Sequence, residues 1–328
     1  MPSRWSFFKS QYLSHVMRRS KAPLVVLAMA CALTGQAAAS VVIEDDRGQR
    51  VEFEAPPQRI VSLLPSLTES VCALDACDRL VAVDRYSEYP ESVQQLPVVG
   101  GGLDPSIEAV VARKPDVVLM SVSSRAAQRL QALGIKVVTL EPKTHADVKR
   151  VLEVLDTLLY GDAAAVNGAS RAQQLWQTIE QGVDQAAASL PESSRGMRVY
   201  FEVSKGPYGA GPQSFIGETL SRLGLGNVLP QDLGPFPRVT PEFILRADPD
   251  VLMVSSRSMV PEFQYPGWQN MRAMKARQVC QFGADDSNIL VRPGPRMHVA
   301  AQLMAGCLQG LFTHADTTTA EPPKTTAP

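Results

Sequence analysis

Apolar residues recur every three or four positions in the middle of the chain, between Asp162 and Leu190. This spacing places them along one face of an α-helix. The members of this stripe are Ala172, Leu175, Trp176, Ile179, Val183, Ala186 and Leu190. Asp162 is a suitable N-cap, because its carboxylate accepts backbone N–H groups, and Pro191 cannot continue the helix. The pattern predicts an unbroken helix about 40 Å long, which is either an ordinary surface helix or a strut between two lobes.

Short apolar runs alternate with amphipathic segments on both sides of this helix. After an opening hairpin over 41–53, the predicted strands are 59–64, 80–83, 117–120, 135–140, 197–203, 227–229, 250–254 and 278–282. Ser66 is placed to cap the first helix, with Glu69 as its capping-box partner. Asp104 and Pro105 are placed at the N-cap and first position of the next helix. Strands that alternate with helices indicate parallel sheets that are covered on both faces.

The two halves of the chain contain matching segments. Residues 112–121 parallel residues 246–255, and in each copy a glutamate, Glu108 or Glu242, lies seven residues before a proline. The repeat predicts an α/β fold of two Rossmann-like lobes with mainly parallel sheets, joined by the long helix. The predicted segments are an N-terminal lobe over 41–160, a bridging helix over 161–191 and a C-terminal lobe over 195–312. Ligands of parallel sheets gather at the carboxyl ends of the strands, so we expect a ligand cleft between the lobes.

Composition narrows the possible function classes. The 328 residues are 45% hydrophobic and 20% charged, with a formal net charge of −1 at pH 7. These values are ordinary for a globular protein and give no reason to expect nucleic acid as a partner. The sequence contains no P-loop and no G-x-S-x-G elbow, and we predict no catalytic residues. An exported hydrolase that uses the same cleft is the rival class. A free zinc or manganese receptor is disfavoured because the chain has only four histidines, and such sites need several clustered ligands.

The N-terminal region has the features of an export signal. Basic residues precede an apolar run over 24–33, and three alanines at 37–39 form a small-residue cleavage site. The run is too short to span a bilayer, which needs roughly 20 residues. We therefore predict a cleaved signal peptide over residues 1–39. Met17 is an alternative start of translation, and lipid anchoring at Cys31 is a less favoured alternative to cleavage after Ala39.

Export makes disulfides possible. The cysteines beyond the predicted signal are Cys72, Cys77, Cys280 and Cys307. A bond between Cys72 and Cys77 is locally plausible, and a bond between Cys280 and Cys307 would join a predicted strand to the last helix. Four buried thiols are the open alternative. The Thr/Pro/Ala-rich tail over 315–328 is predicted to be disordered.

Aromatic residues occupy the loops that should line the cleft, although they make up only 6% of the chain. They are Tyr86, Tyr89, Tyr208 and Phe236. Gly and Pro neighbours hold such loops in fixed shapes, and an exposed ring offers a flat apolar face to a ligand. The alternative role for these rings is to cap the core.

Charged residues suggest two further contacts. Arg292 is expected to donate to amide or carboxylate groups of a ligand, whereas Arg296 is expected to pair with a surface carboxylate. Glu108 and Glu242 lie in the first turns of their helices, where the helix dipole favours acids. The helix dipole does not explain why a glutamate occupies the same position in both halves of the chain. Two such carboxylates suit a partner with two matching basic patches.

Together these residues resemble the periplasmic solute-binding proteins of ABC importers that have a helical backbone, and among them the vitamin B12 binders. The segments that carry the resemblance are 59–69, 86–90, 108–116, 134–137, 242–250 and 292–296. The resemblance implies a periplasmic monomer with two rigid lobes and no resident cofactor. Its implied partner is a permease dimer with separate ATPase subunits, and Glu108 and Glu242 align with the two glutamates that engage permease arginines.

The resemblance also implies a set of ligand contacts. These are Tyr86, Tyr208, Phe236, Asn288 and Arg292. The chain departs from the family pattern near Gly102 and Ser121, where tryptophans are expected, and at Asn288, where an aspartate is expected. The expected ligand is a corrinoid, and haem or an iron–siderophore complex is the alternative.

Overall fold

The computed structural model describes residues 40–161, 165–166, 168–255 and 265–318. All of these residues belong to one compact unit within Ala38–Pro328. The predicted signal peptide, with Met17 and Cys31, lies outside the described residues. No helix among the residues that the structure describes is both long enough and apolar enough to cross a membrane.

The first lobe opens with an antiparallel hairpin of β1 (Val41–Glu44) and β2 (Arg50–Phe53). Its main sheet contains β3 (Ile60–Ser62), β4 (Leu80–Val83), β5 (Val117–Met120) and β6 (Val137–Thr139). These four strands are parallel and lie in the order β4-β3-β5-β6. Every residue in them except Val81 is buried, as a parallel sheet covered on both faces requires.

The helices of the first lobe begin at other residues than the sequence predicts. They are α1 (Pro65–Ala73), α2 (Ile107–Ala112), α3 (Ala126–Ala132) and α4 (His145–Tyr160). The prediction that Ser66 caps α1 was wrong, because Pro65 already occupies the first helical position. The prediction of Asp104 as the cap of α2 was also wrong. Ser106 is the N-cap, and its side chain accepts a hydrogen bond from the Ala109 N–H.

The long central helix is shorter than predicted. A small antiparallel hairpin of β7 (Ala165–Val166) and β8 (Ala169–Ser170) precedes α5 (Arg171–Ala188). The Ser170 side chain caps α5 in a capping box with Gln173. With 18 residues, the helix spans about 27 Å. The prediction of an unbroken helix from Asp162 was wrong because Gly168 turns the chain with a φ of 85°. Asp162 itself lies outside the described residues.

The second lobe repeats the arrangement. Its strands are β9 (Arg198–Ser204), β10 (Tyr208–Gly209), β11 (Gly226–Asn227), β12 (Val251–Val254) and β13 (Val279–Gln281). Their order is β10-β9-β12-β13, with β11 also paired to β9, and only the β9–β10 pair is antiparallel. The helices are α6 (Phe215–Arg222), α7 (Pro241–Ala247), α8 (Arg272–Lys275), α9 (Ala284–Leu290) and α10 (Met297–Thr318).

The last helix extends into the segment predicted as a disordered tail. The backbone of α10 remains helical to Thr318, so the disorder prediction was wrong for residues 315–318. The sequence from Leu311 to Thr318 contains no Pro or Gly to end a helix. Residues 319–328 lie outside the described residues.

Helix α5 is a shared wall between the lobes. It packs mainly against α10 and α4. Its buried residues Ile179 and Val183 belong to one core with Leu119 of β5 and Phe201 of β9. The other face of each sheet has its own core. The two-lobed α/β fold with separate sheets is therefore confirmed, and the central helix is a strut between the lobes rather than a free surface helix.

Gly182 shows how closely the two long helices approach each other. A Cβ at Gly182 of α5 would lie 2.6 Å from the Cβ of His298 on α10. The glycine lowers the intrinsic helix propensity of α5, and the packing of α10 against this position requires it.

The four cysteines form the two bonds that the sequence suggested. Cys72 at the end of α1 pairs with Cys77, and Cys280 of β13 pairs with Cys307 of α10. The alternative of four free thiols is therefore wrong. The second bond ties the last helix to the sheet of the second lobe.

Candidate ligand-binding site

Loops from both lobes enclose a cavity of about 510 Å³, a volume typical of small-molecule sites. The first lobe lines it with residues that follow the carboxyl ends of its strands. Among them are Leu63 after β3, Asp84 after β4, Ser121 after β5 and Glu141 after β6. Because parallel strands end at one edge of a sheet, residues far apart in sequence converge here.

The wall contributed by the second lobe is mainly apolar. It consists of Phe215, Pro235, Phe236, Val291 and Pro293. The rings of Phe215 and Phe236 lie 6.0 Å apart at 58°, which is within the range of favourable aromatic pairs. The loop that carries Phe236 approaches its neighbour closely, since a Cβ at Gly211 would lie 2.3 Å from the Gly234 carbonyl oxygen.

An adjoining cavity of about 600 Å³ shares part of this lining and includes Arg292. The side chain of Arg292 is only 8% exposed, and its guanidinium is already engaged. It donates to Glu69 Oε1 at 3.1 Å, to Glu88 Oε1 at 2.8 Å and to the Tyr86 carbonyl oxygen at 3.0 Å. Both carboxylates belong to the first lobe, so Arg292 joins the two lobes as well as lining the cleft.

Arg296 and Asn288 extend this cluster between the lobes. Arg296 donates to both oxygens of Glu69, at 2.8 Å and 2.6 Å. The prediction of a surface partner for Arg296 was wrong, because the Glu69 side chain is only 2% exposed. Asn288 Nδ2 donates to Glu88 Oε1 at 2.7 Å. The predicted ligand contact at Asn288 is thus bonded to the opposite lobe in this structure.

A second contact between the lobes lies beside the cavity. His145 at the start of α4 places its Nε2 at 2.9 Å from Thr219 Oγ1 and 3.1 Å from the Phe215 carbonyl oxygen, both in α6. Burial lowers the pKa of His145, although the charge of Glu218 acts in the opposite direction. The imidazole is therefore neutral at pH 7, and it fixes the helix that carries Phe215.

Asp84 is the most deeply buried acid in the cavity lining. Its side chain accepts from Ser87 Oγ at 2.5 Å and from the Tyr86 N–H at 3.1 Å. Burial raises the pKa of Asp84, while the hydrogen bond from Ser87 and the charge of Arg292 act to lower it. Because both carboxylate oxygens already have donors, Asp84 shapes the loop that carries Tyr86.

The predicted aromatic contacts separate into two groups. Tyr86 and Phe236 line the cavity and remain 52% and 37% exposed. Tyr208 is 38% exposed but is not among the residues that line either cavity. Tyr89 packs its ring 4.1 Å from the guanidinium carbon of Arg296, so it supports the cluster between the lobes.

The predicted docking residues lie in equivalent positions of the two lobes. Glu108 is in the first turn of α2 and Glu242 in the first turn of α7, and both are exposed. Neither forms an ion pair with any other residue in the described part of the chain. Glu108 Oε2 accepts a hydrogen bond from Ser106 Oγ at 3.4 Å, and both exposed side chains remain accessible to a partner.

Sequence reasoning missed several residues of the lining, among them Leu103, Ser123 and Glu141. Leu103 is 67% exposed and lines the cavity beside Gly102, where a Cβ would lie 2.4 Å from the Leu63 carbonyl oxygen. Only glycine fits at 102, and Leu103 supplies the apolar surface there. Ser123 and Glu141 were also missed. Both residues follow the carboxyl ends of neighbouring strands, and this position in the sequence could have identified them as lining residues.

The residues that line the two cavities give little support for a catalytic or metal-binding site. His145 and His298, the two histidines whose side chains are described, do not line either cavity. Within the described ranges, no group of three or more His, Cys, Asp or Glu side chains is arranged to hold a metal ion. The lining has the character of a binding site, with apolar surface and a few placed polar groups.

Comparisons with known proteins agree with this architecture. A family model described as periplasmic binding protein matches residues 60–285. The uncharacterized ABC transporter substrate-binding lipoprotein YvrC of Bacillus subtilis (strain 168) is 28% identical over 268 residues, which cover 78% of this chain and 82% of the relative. The vitamin B12-binding protein of Pectobacterium carotovorum subsp. carotovorum (strain PC1) is 28% identical over 262 residues, or 78% of this chain and 90% of the relative. The crystal structure of the periplasmic vitamin B12 binding protein BtuF of Vibrio cholerae superposes with a TM-score of 0.63 at 26% identity, over 78% of this chain and 98% of that one.

Proposed function

The chain belongs to the periplasmic binding protein family, and we propose that it captures a corrinoid in the cleft and delivers it to an ABC importer. Proteins of this family bind solutes for transport. The observation that carries the proposal is the cavity between the two lobes, with an apolar wall on one side and hydrogen-bonding groups on the other. The vitamin B12-binding relatives support the choice of ligand.

The apolar wall suits the face of a large macrocycle. Phe236 and Phe215 present neighbouring rings, and Tyr86 and Leu103 add exposed apolar surface from the first lobe. Burial of such surface contributes roughly 25 cal/mol per Å² of apolar area. A corrin ring carries amide side chains around its edge, and these can bond to the polar groups of the opposite wall.

The charges of the lining favour a corrinoid over haem. Haem carries carboxylates, which need cationic partners when they leave water. Among the described lining residues only Lys143 and Arg292 are basic, and Arg292 is already paired with two carboxylates. Asp84, Asp104 and Glu141 line the same space. A neutral, amide-rich ligand avoids the resulting repulsion.

The partner is the permease of an ABC importer, because an ABC transporter substrate-binding protein and vitamin B12-binding proteins are among the relatives. Glu108 and Glu242 are the docking residues, one on each lobe. A cleaved signal peptide over residues 1–39 takes the chain to the periplasm, where the protein acts as a monomer. ATP hydrolysis belongs to separate subunits, and the chain itself performs no chemistry.

Calorimetry with four ligand types tests the assignment of the ligand. We expect cyanocobalamin and cobinamide to bind more tightly than haemin or ferric siderophores. Binding of haemin or a siderophore alone would transfer the function to that ligand. Well-folded protein that binds none of the four would contradict the proposal.

Phe236→Ala should weaken cyanocobalamin binding by about 1–3 kcal/mol, because it removes a ring from the apolar wall. Tyr208→Ala should have a smaller effect, since Tyr208 has similar exposure but does not line the cavity. Calorimetry on both variants measures the difference. Equal losses, or no loss at Phe236, would argue against stacking on this wall.

A further inference from the structure

We propose that Glu141 determines ligand specificity: its carboxylate accepts hydrogen bonds from ligand N–H groups and excludes ligand carboxylates. The inference rests on the proposed function, because it assumes a ligand with side-chain amides. It concerns the part of the cleft around Ser121, which directly follows β5 and lines the cavity. There Ser121, Ser123 and Glu141 form a polar part of the cavity lining.

The sheet brings these three residues together. Ser121 directly follows β5, and Glu141 follows the neighbouring parallel strand β6. Ser121 Oγ donates to Glu141 Oε2. Ser123 Oγ lies 2.6 Å from Ser121 Oγ and 3.4 Å from the same carboxylate oxygen. The two hydroxyl groups therefore hold one oxygen of Glu141.

The opening hairpin holds the backbone of Glu141. The Glu141 N–H donates to Asp46 Oδ2 at 2.7 Å. Arg150 of α4 fixes this aspartate through a 2.6 Å contact from Nη1 to Asp46 Oδ1. The carboxylate of Glu141 is therefore preorganised before a ligand arrives, and a preorganised group loses less conformational freedom on binding.

The second carboxylate oxygen of Glu141 is available to the ligand. Within the part of the chain that the structure describes, no group donates to Oε1, and no basic side chain forms an ion pair with Glu141. Asp84 is fully occupied by its own loop, and Asp104 pairs with Arg85 on the exposed rim. Glu141 is thus the acid of the lining that is best placed to bind the ligand.

A carboxylate can only accept hydrogen bonds. A ligand amide can donate to Glu141 Oε1, whereas a ligand carboxylate at the same place brings two negative charges together without a proton between them. Specificity then arises from repulsion of the wrong ligand as well as attraction to the right one. Glu44, at the end of β1, is an exposed acid that lines neither cavity. It provides a matched control for the loss of one negative charge.

The test compares cyanocobalamin with its three monocarboxylic acids, in each of which one side-chain amide is hydrolysed. Wild-type protein should bind at least one isomer about tenfold more weakly than cyanocobalamin. Glu141→Gln should remove most of that discrimination, because an amide can donate to a carboxylate and still accept from an amide. Glu44→Gln should not remove it, because Glu44 lies outside the cavity lining. Calorimetry gives the affinities, and circular dichroism checks that each variant is folded.

The outcomes separate this inference from the function on which it rests. If wild-type protein binds cyanocobalamin but Glu141→Gln leaves all three affinity ratios unchanged, the role of Glu141 is overturned and the proposed function remains. Binding of all three isomers by the wild type as tightly as cyanocobalamin would also overturn the role of Glu141. If cyanocobalamin does not bind to the wild type, the proposed function fails, and the inference fails with it. Should Glu141→Gln fold poorly, Ser121→Ala provides a second variant, in which loosening of the carboxylate should reduce the same ratios.

Discussion

Reversing Glu108 and Glu242 together to Lys should strongly reduce delivery of the ligand while leaving its affinity for the isolated protein unchanged. Both side chains are exposed in the first turns of equivalent helices, and neither lines a cavity. Close charge pairs at protein interfaces have coupling energies of about 1.5–7 kcal/mol. Two reversed charges should therefore lower uptake by about tenfold or more. Uptake of labelled cyanocobalamin by cells that carry the importer measures the effect, and calorimetry measures the affinity.

Glu91→Lys is a control for charge reversal outside the proposed docking positions. Glu91 is also exposed and lies in the first turn of a short helix over Glu91–Gln95, so its reversal changes the net charge without touching the paired positions. We expect near-normal uptake from Glu91→Lys. Normal uptake in the double Glu108 and Glu242 variant would refute the docking role.

Glu69→Ala should lower the free energy of unfolding by about 3–5 kcal/mol, the loss typical when one partner of a buried ion cluster is removed. The Glu69 side chain is 2% exposed and accepts from Arg292 and Arg296. Without Glu69, the guanidinium of Arg296 loses the carboxylate that neutralises it, and Arg292 keeps only its contacts to Glu88 and a carbonyl oxygen. Urea unfolding of the oxidised protein measures the change.

Glu88→Ala tests whether burial or charge determines how much a carboxylate of this cluster contributes to stability. Glu88 also bonds to Arg292, but its side chain is 47% exposed, and exposed ion pairs contribute only about 0–1 kcal/mol. We expect a much smaller loss of stability than for Glu69→Ala. Similar losses in both variants would contradict the view that the buried carboxylate organises the contact between the lobes.

Much of the fold could be predicted because its signals are local. Apolar strand runs and the repeat around Glu108 and Glu242 lie within short segments. The start of the central helix could not be found in this way. The stripe of apolar residues continues towards Asp162, and only the turn at Gly168 shows that a hairpin interrupts it.

The site was harder to predict because its contacts are long-range. Glu69 and Arg296 are 227 positions apart, and nothing near Glu69 in sequence indicates that its partner is an arginine instead of a helix N-terminus. Ser121 and Glu141 likewise meet only because β5 and β6 are neighbours. The individual residues at strand ends could have been selected from the sequence, but their pairing required the strand order.

The visible absorption spectrum of the protein purified from its own periplasm tests the central claim most directly, because corrinoids and haem absorb differently. We predict corrinoid bands that co-migrate with the protein, or that appear after incubation with cyanocobalamin and gel filtration, at one corrinoid per chain. A haem Soret band, or protein that stays colourless after this incubation, would contradict the account.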